Sequence, residues 1–562
     1  MKKSGQRVKT SKGIITFDEK DYKAAGGQAA VFVKGDMAYK IYHDPKDTIP
    51  VAKIHELSAI KHPEVLAPIE PLYDLNDQPI GFSMSSVPKM EYFCKIFTQA
   101  FRKAKNISLQ EIIALDKKMQ KILDYIHGVN GTLVVDYNEM NFLLNTSCDT
   151  VYHIDVDSYQ TKSFPATALM VSIRDPLTPK AGYNALTDWY SFAIVTFQMY
   201  IGTHPFKGVH PDYKPKDLEL RMKDGASVFN KKVGLPESCE DFSVIPKKRL
   251  EWYKALFSNK DRSEPPSLEA VEVAQIASKV ITSKGDFVIR LLAEYDKPVR
   301  KYYFLNNERY ILTNNEVYKD SQSILKFSKS IDKTPFELTL VENEEPLMAY
   351  LTQDKVEFFD LKKTPISSIA AEEMMHHNGI IYTLNNGQLV ENIFERLGKL
   401  IHRTRIICKI FPSYQMYPGI IVQDDFMKCH LAIPFAKGSC VNIHIPELDG
   451  KRIIDAYYNG GFCITISEKG GVYTRTTTHF NTMHSSYTIQ EEEIDTLYPI
   501  NFITLPNGLC ISRDNDKVVL FKEVNQRKEI SNAPFTASMK LYNEHTQVLF
   551  VHDDKLYSVT MK

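Results

Sequence analysis

Val134-Val135-Asp136-Tyr137-Asn138-Glu139-Met140-Asn141-Phe142-Leu143-Leu144, followed by Ile154-Asp155-Val156-Asp157 at the end of the next apolar run, is the stretch on which the reading of this chain turns. Asp136 and Asn141 sit between apolar residues on both sides, a pattern suited to a tight loop between a helix and a hairpin, and Asp155 then ends the returning strand. In that arrangement Asn141 and Asp155 share the ligation of a hard cation while Asp136 faces an incoming hydroxyl, the layout of metal-assisted phosphoryl transfer.

The 562 residues exceed what one hydrophobic core organises, so at least two domains are expected. Composition is that of an ordinary globular protein, 43% apolar and 25% charged. Basic and acidic residues balance at 69 each, which removes any overall electrostatic reason to bind nucleic acid or an anionic membrane. The eight cysteines (94, 148, 239, 408, 429, 440, 463 and 510) show no C-x-x-C pair and no metal-ligand spacing, and read as reduced thiols of a cytoplasmic protein. His376-His377 and Cys429-His430 lack partners at ligand spacing. The basic start, Met1 to Arg7, is not followed by an apolar segment, and no run of apolar residues is long enough to cross a bilayer, so neither secretion nor membrane insertion is expected.

The chain changes character near residue 280. Before it, Leu109 to Val129 carries apolar residues at 112, 113, 115, 119, 122, 123 and 126, one buried helix face, and Leu186 to Gly202 is a second helix, apolar nearly all round. After residue 295 short strands alternate with turns such as Asn385-Asn386-Gly387 and Asn459-Gly460-Gly461. Groups of strands recur about every 40–50 residues, so 295–562 reads as a β-propeller of about six or seven blades, with a pair of β-sandwiches as the competing reading. The aromatic segments Tyr414 to Pro418 and His479 to His484 are either partner-binding loops or packing between blades.

Upstream of the loop, Ala24-Ala25-Gly26-Gly27-Gln28-Ala29-Ala30-Val31-Phe32 is a small-residue turn entering a strand, where backbone N–H groups can approach a phosphate. The hairpin turn Lys34-Gly35-Asp36 then leads into Met37-Ala38-Tyr39-Lys40-Ile41-Tyr42, which places Lys40 between apolar neighbours where it needs an anionic partner. With His62-Pro63-Glu64-Val65, Gly81-Phe82-Ser83-Met84 before a hinge at 85–88, Ile126-His127, Asp188-Trp189-Tyr190-Ser191-Phe192-Ala193, Gly202-Thr203-His204-Pro205-Phe206 and Asp261-Arg262, the order of elements over about residues 15–275 resembles the protein kinase superfamily in its divergent bacterial and phage-type members.

The resemblance implies an α+β bilobal protein-kinase-like domain ahead of the all-β domain. The boundaries are a tail at 1–14, an N-lobe at 15–88, a C-lobe at 89–280, a linker at 281–294 and the β-propeller-like domain at 295–562. It implies Asp136 as the residue that orients or deprotonates the acceptor, Asn141 and Asp155 as ligands of Mg²⁺ or Mn²⁺ with Asp157 beside them, and Lys40 on the α- and β-phosphates of ATP, paired with Glu56. Gly26, Gly27, Val31, Met84, Ser85 and Val87 would line the nucleotide site. The implied activity is transfer of the ATP γ-phosphate to serine or threonine of a protein partner recruited by the C-terminal domain. The alternative is a nucleotide-binding pseudokinase scaffold.

Departures from the family pattern bear on that choice. Val134-Val135 replace His-Arg, which removes the arginine that reads an activation-loop phosphate; Asn138 stands where a lysine near the γ-phosphate is usual; and Asp155-Val156-Asp157 replaces Asp-Phe-Gly. Arg174-Asp175-Pro176 stands in for Ala-Pro-Glu, with a salt bridge expected from Asp175 to Arg262.

Overall fold

The computed structural model describes residues 5–87, 89–167, 169–179, 182–268, 287–327, 335–342, 344–515, 517–530 and 539–561. They fall into two compact units: Met1–Ser278 with Glu468–Tyr473 and Ile494–Leu497, and Lys279–Ser467 with Thr474–Glu493 and Tyr498–Lys562. The first is mixed α and β, the second all β.

The first unit opens with an antiparallel sheet of β1 (Gln6–Thr10), β2 (Gly13–Phe17), β3 (Tyr22–Ala25), β4 (Ala29–Lys34), β5 (Met37–Tyr42), β6 (Glu70–Tyr73) and β7 (Pro79–Ser85), in the order β2-β1-β6-β7-β5-β4-β3. The tail expected over 1–14 is therefore a correction: Val8 and Phe17 are fully buried, so burial of their apolar side chains draws the β1–β2 hairpin into the sheet. β4 and β5 pair down to Lys34 opposite Met37, leaving Gly35-Asp36 as a two-residue turn, and Gly35 supplies the positive φ that such a turn requires. On β7, a Cβ at Gly81 would lie 2.0 Å from the Lys40 carbonyl oxygen, so only glycine lets β7 approach β5 beside Lys40. The hinge expected at 85–88 is described as far as Val87; Pro88 lies outside the described residues.

The helices follow as α1 (Val51–Leu57), α2 (Gln99–Ala104), α3 (Leu109–Gly128), α4 (Ala185–Ile201), α5 (Leu218–Asp224) and α6 (Lys247–Ser258). α3 starts on a reciprocal Ser108–Glu111 capping box and buries the seven apolar positions the periodicity marked. α4 is capped by Asn184, ends at Gly202 with φ +91°, and is buried on every side. A small sheet is formed by β8 (Met90–Tyr92), which precedes α2, with β9 (Phe142–Asn145) and β10 (Val151–His153) from between α3 and α4, in the order β10-β9-β8.

In the second unit the described residues form seven four-stranded antiparallel sheets, six of them with their strands in chain order. The first strands of these six are Val299–Leu305, Phe336–Thr339, Glu373–His377, Tyr414–Tyr417, Arg452–Asn459 and Phe502–Thr504. The seventh sheet combines Lys540–Glu544, Gln547–His552 and Lys555–Met561 with Phe287–Glu294, which pairs antiparallel to the last strand. The linker expected over 281–294 is thus a strand from Phe287 onward, while 281–286 lies outside the described residues. First strands of successive sheets touch from the second sheet through to the seventh. Tyr303 of the first sheet donates to Glu337 of the second at 2.9 Å, and Tyr302 of the first packs its ring 4.9 Å from Tyr542 of the seventh. Tyr414–Tyr417 is a strand in a sheet, and its Tyr417 is buried among Ile420, Leu431 and Ile453. Among the described residues no helix is long and apolar enough to cross a membrane.

Candidate functional site

The site collects on β5, on the loop before β9 and on the turn after β10. Lys40 points its Nζ from mid-strand to Asp155 Oδ1 at 2.9 Å and to Asp157 Oδ1 and Oδ2 at 2.8 and 2.9 Å. Tyr42, one strand repeat further, donates its hydroxyl to Asp157 Oδ2 at 2.7 Å. Burial alone would lower the Lys40 ammonium, but the Asp155 and Asp157 carboxylates outweigh it and hold the group above its ordinary value, so it stays charged. Asp155 itself adopts a left-handed conformation, φ 56° and ψ 33°, one that a short polar side chain tolerates.

The loop Val134–Asn141 is braced from beneath by α4. Asp188, fully buried in its first turn, accepts the N–H groups of Val134 and Val135, each at 2.8 Å, and its Oδ2 lies 2.9 Å from His127 Nε2 at the end of α3. Val135 is held at φ 63°, costly for a β-branched residue, and the paired bonds to one buried carboxylate offset that strain. Tyr137, Phe142 and His153 pack ring against ring below the loop.

Asp136 is held by Asn141, whose Nδ2 donates to the Asp136 carbonyl at 3.0 Å and to Oδ2 at 3.3 Å. Its Oδ1 accepts the Met170 backbone N–H at 2.7 Å. Burial pushes the carboxyl above its usual range, a shift that makes it a better proton acceptor, and the Asp155 charge adds to it. Asn138 spends its Oδ1 on the Met140 N–H at 2.8 Å, shaping the loop.

On either side of β5 in the sheet, Val31 on β4 is the register partner of Lys40, and Met84 and Ser85 on β7 pair with Ala38 and Met37. Gly26 and Gly27 form the turn before β4, closed by Gly26 N–H donating to the Ala29 carbonyl at 2.8 Å, and a Cβ at either would meet nothing within 4 Å. Val87 follows β7 just short of the undescribed Pro88. The bidentate bridge expected from Arg262 to Asp175 is present, at 2.6 and 2.7 Å, with the guanidinium stacked 4.4 Å from the centre of the Tyr190 ring.

Two features depart from expectation. Glu56 does not pair with Lys40; its carboxylate accepts the Ser163 N–H at 3.3 Å, because Lys40 already holds two closer carboxylates. The residue that α1 turns inward is Lys53, only 1% exposed, with its Nζ 3.3 Å from the Pro165 carbonyl. A signal for it was available, since Lys53 shares the buried stripe of α1 with Ile54 and Leu57.

The oxygen donors suit a hard cation in part. Asn141 commits its amide nitrogen to Asp136, so its Oδ1 is the atom for a metal, and Asp155 keeps 45% of its side chain exposed. Asp157, expected as a further ligand, has both oxygens engaged by Lys40 and Tyr42. Among the described residues no group of three His, Cys, Asp or Glu side chains is placed to hold a metal. Neither a protein-family model nor a curated protein matches the chain. The case for function therefore rests on geometry: a charged lysine against two carboxylates, beside a braced Asp–Asn pair.

Proposed function

We propose that this chain is an ATP-dependent serine/threonine protein kinase whose kinase-like first unit phosphorylates a protein partner recruited by a seven-bladed β-propeller. The observation that carries the reading is the Lys40–Asp155–Asp157 cluster beside Asp136 and Asn141, with Asp188 bracing the intervening loop. Lys40 would exchange its carboxylate partners for the α- and β-phosphates of ATP. Asn141 Oδ1 and the exposed Asp155 carboxylate would hold Mg²⁺ or Mn²⁺, which when bound supplies positive charge against the transferring phosphoryl group. Asp136, raised by burial, would take the acceptor proton once the Met170 N–H leaves Oδ1. Asn138 brings no cation to the transition state, so slow turnover is expected. The propeller reading is supported by seven four-stranded antiparallel sheets whose first strands touch in succession, and by the pairing of Phe287–Glu294 with the chain's final strand.

A second reading, a nucleotide-binding pseudokinase scaffold, is favoured by two observations: Met170 occupies the proton-accepting oxygen of Asp136, and the Glu56 expected beside Lys40 accepts from Ser163 instead while α1 buries Lys53. The test is transfer of labelled γ-phosphate from ATP with Mg²⁺ or Mn²⁺ to the chain itself and to a generic protein substrate. Label in the wild type that falls by about 10²-fold or more in Asp136→Asn and Asp155→Ala supports the kinase. Absence of label with ATP still raising the melting temperature supports the scaffold, and no effect of ATP at all removes both.

A further inference from the structure

A buried ammonium without a carboxylate partner is costly, because its own hydration is lost and nothing of opposite charge replaces it. Lys53 on α1 is such a group. Among the described residues it donates one hydrogen bond, to the Pro165 carbonyl at 3.3 Å, and has no carboxylate at ion-pair distance. Glu56, on the same short helix, does not serve it, since its carboxylate accepts the Ser163 N–H. The surroundings of Lys53 lead back to the lysine site. α1 packs along the turn Val156–Ser158, in which Asp157 is 7% exposed. The segment that carries Pro165 is tied to this same turn, where the Ser158 carbonyl accepts the Thr167 N–H at 3.1 Å. The Lys53 ammonium therefore sits in the layer between α1 and the turn of Asp157, and the Asp157 charge partly opposes the effect of burial on it.

We propose that Lys53 is the standby counter-ion of Asp157: as Lys40 turns from the carboxylates to the phosphates of ATP, Lys53 moves from the Pro165 carbonyl to Asp157. This rests on the nucleotide site proposed above and holds for the kinase and the scaffold alike. The argument is one of charge. In the structure both oxygens of Asp157 are met by Lys40, and Oδ2 also by the Tyr42 hydroxyl. Once Lys40 serves the phosphates, Tyr42 offers Asp157 one hydrogen bond and no charge, and a buried carboxylate stranded in this way opposes binding. A second cation held one layer away removes that opposition. Its ground-state cost is then the cost of keeping the replacement in place, as expected of a strongly perturbed group beside a functional cleft. Lys53 acts through Asp157 and not on the nucleotide, so it is a positioning residue, and it reverses the expected polarity of the pair: the cation is on α1 and the carboxylate is on the turn after β10.

The test is a double-mutant cycle on the full chain, with the dissociation constant of ATP and Mg²⁺ measured by titration calorimetry for wild type, Lys53→Met, Asp157→Asn and the double variant. Lys53→Met should weaken binding by about tenfold or more, because it leaves Asp157 to compete for Lys40. In the Asp157→Asn background, where no charge can be stranded, the same substitution should change the constant by less than about twofold. Lys53→Gln, which keeps a hydrogen-bond donor without the charge, should weaken binding as Lys53→Met does. It also carries the comparison with wild type if the Asp157 variants fail to fold, which their urea transitions would show. Wild-type affinity in Lys53→Met or Lys53→Gln overturns the proposal, and so does an equal loss with and without Asp157, which would place Lys53 on the phosphates themselves. A wild type that takes up no ATP removes the nucleotide site and this inference together, whereas a wild type that binds while the cycle shows no coupling removes the inference alone.

Discussion

Lys53 is the residue whose cost is easiest to measure. The residue is 1% exposed, and its ammonium donates to the Pro165 carbonyl at 3.3 Å, whereas Lys40 meets two carboxylates. Burial pushes the group down to about 8, with the Asp157 charge only partly opposing it. The unfolded chain therefore binds this proton more tightly than the folded one. The penalty is fully present below pH 8 and disappears as pH rises toward the ordinary value of 10.5. Lys53→Met should stabilise the first unit by about 1–3 kcal/mol at pH 7, with the advantage shrinking between pH 8 and 10.5. The urea midpoint followed by tryptophan fluorescence checks this, because Trp189 and Trp252 are the only two tryptophans and both lie in the first unit. A variant no more stable than wild type at pH 7, or an advantage that grows with pH, removes the argument. A gain in stability joined to a loss of ATP-induced stabilisation would assign the buried cation to nucleotide binding.

At the scale of elements, α3, α4 and α6 meet on one buried ion pair. Arg249 on α6 donates Nε and Nη2 to the two oxygens of Asp116 on α3 at 3.0 and 2.9 Å, with neither side chain exposed. Tyr200 of α4 adds a third donor to Asp116 at 2.8 Å, and the guanidinium lies over the Phe192 and Trp252 rings. Arg249→Leu should cost about 3–5 kcal/mol by stranding the carboxylate, whereas Asp116→Leu with Arg249→Met should cost far less. The same fluorescence-detected urea transition separates the two, and equal losses would mean that packing volume, not charge, decides. The helices behind this pair were legible because seven apolar positions of α3 repeat with the helical period and α4 is apolar all round. The lysine and the loop were legible for a related reason: a charged or amide side chain between apolar neighbours needs a partner. What escaped was pairing that periodicity does not encode. Two inward-facing candidates on α1, Lys53 and Glu56, differ by one turn in a helix of seven residues, and nothing local ranks them. Residues 6–14 are polar enough to read as a tail, and only Val8 and Phe17 meeting a distant sheet make them strands.

The second unit depends most on a contact between the start of its sequence and the end of it. Phe287–Glu294 is the outer strand of the seventh sheet, paired with Lys555–Met561 through Val288 opposite Thr560, Ile289 opposite Val559 and Arg290 opposite Ser558. Its Phe287 and Ile289 join the cluster of Phe550, Val559 and Leu505, and a neighbouring cluster carries Tyr302, Ile311 and Tyr318 of the first sheet against Leu549, Val551 and Leu556 of the seventh. Sheets coupled in this way should unfold together, so loosening one strand should be felt across the unit. Adjacent residues of a strand turn their N–H groups to opposite sides, and only one side of an outer strand has a partner. Of Ile289→Pro and Arg290→Pro, the one that removes an N–H directed at Lys555–Met561 should therefore cost about 3 kcal/mol, and the other much less. The second unit's share of the β-sheet signal in circular dichroism should fall in one transition at lower temperature for the first variant, while the tryptophan transition of the first unit stays in place. Two prolines with equal and negligible effect would show that this strand contributes nothing to the unit. A two-step loss, the seventh sheet melting before the other six, would show that the sheets do not act as one closed set.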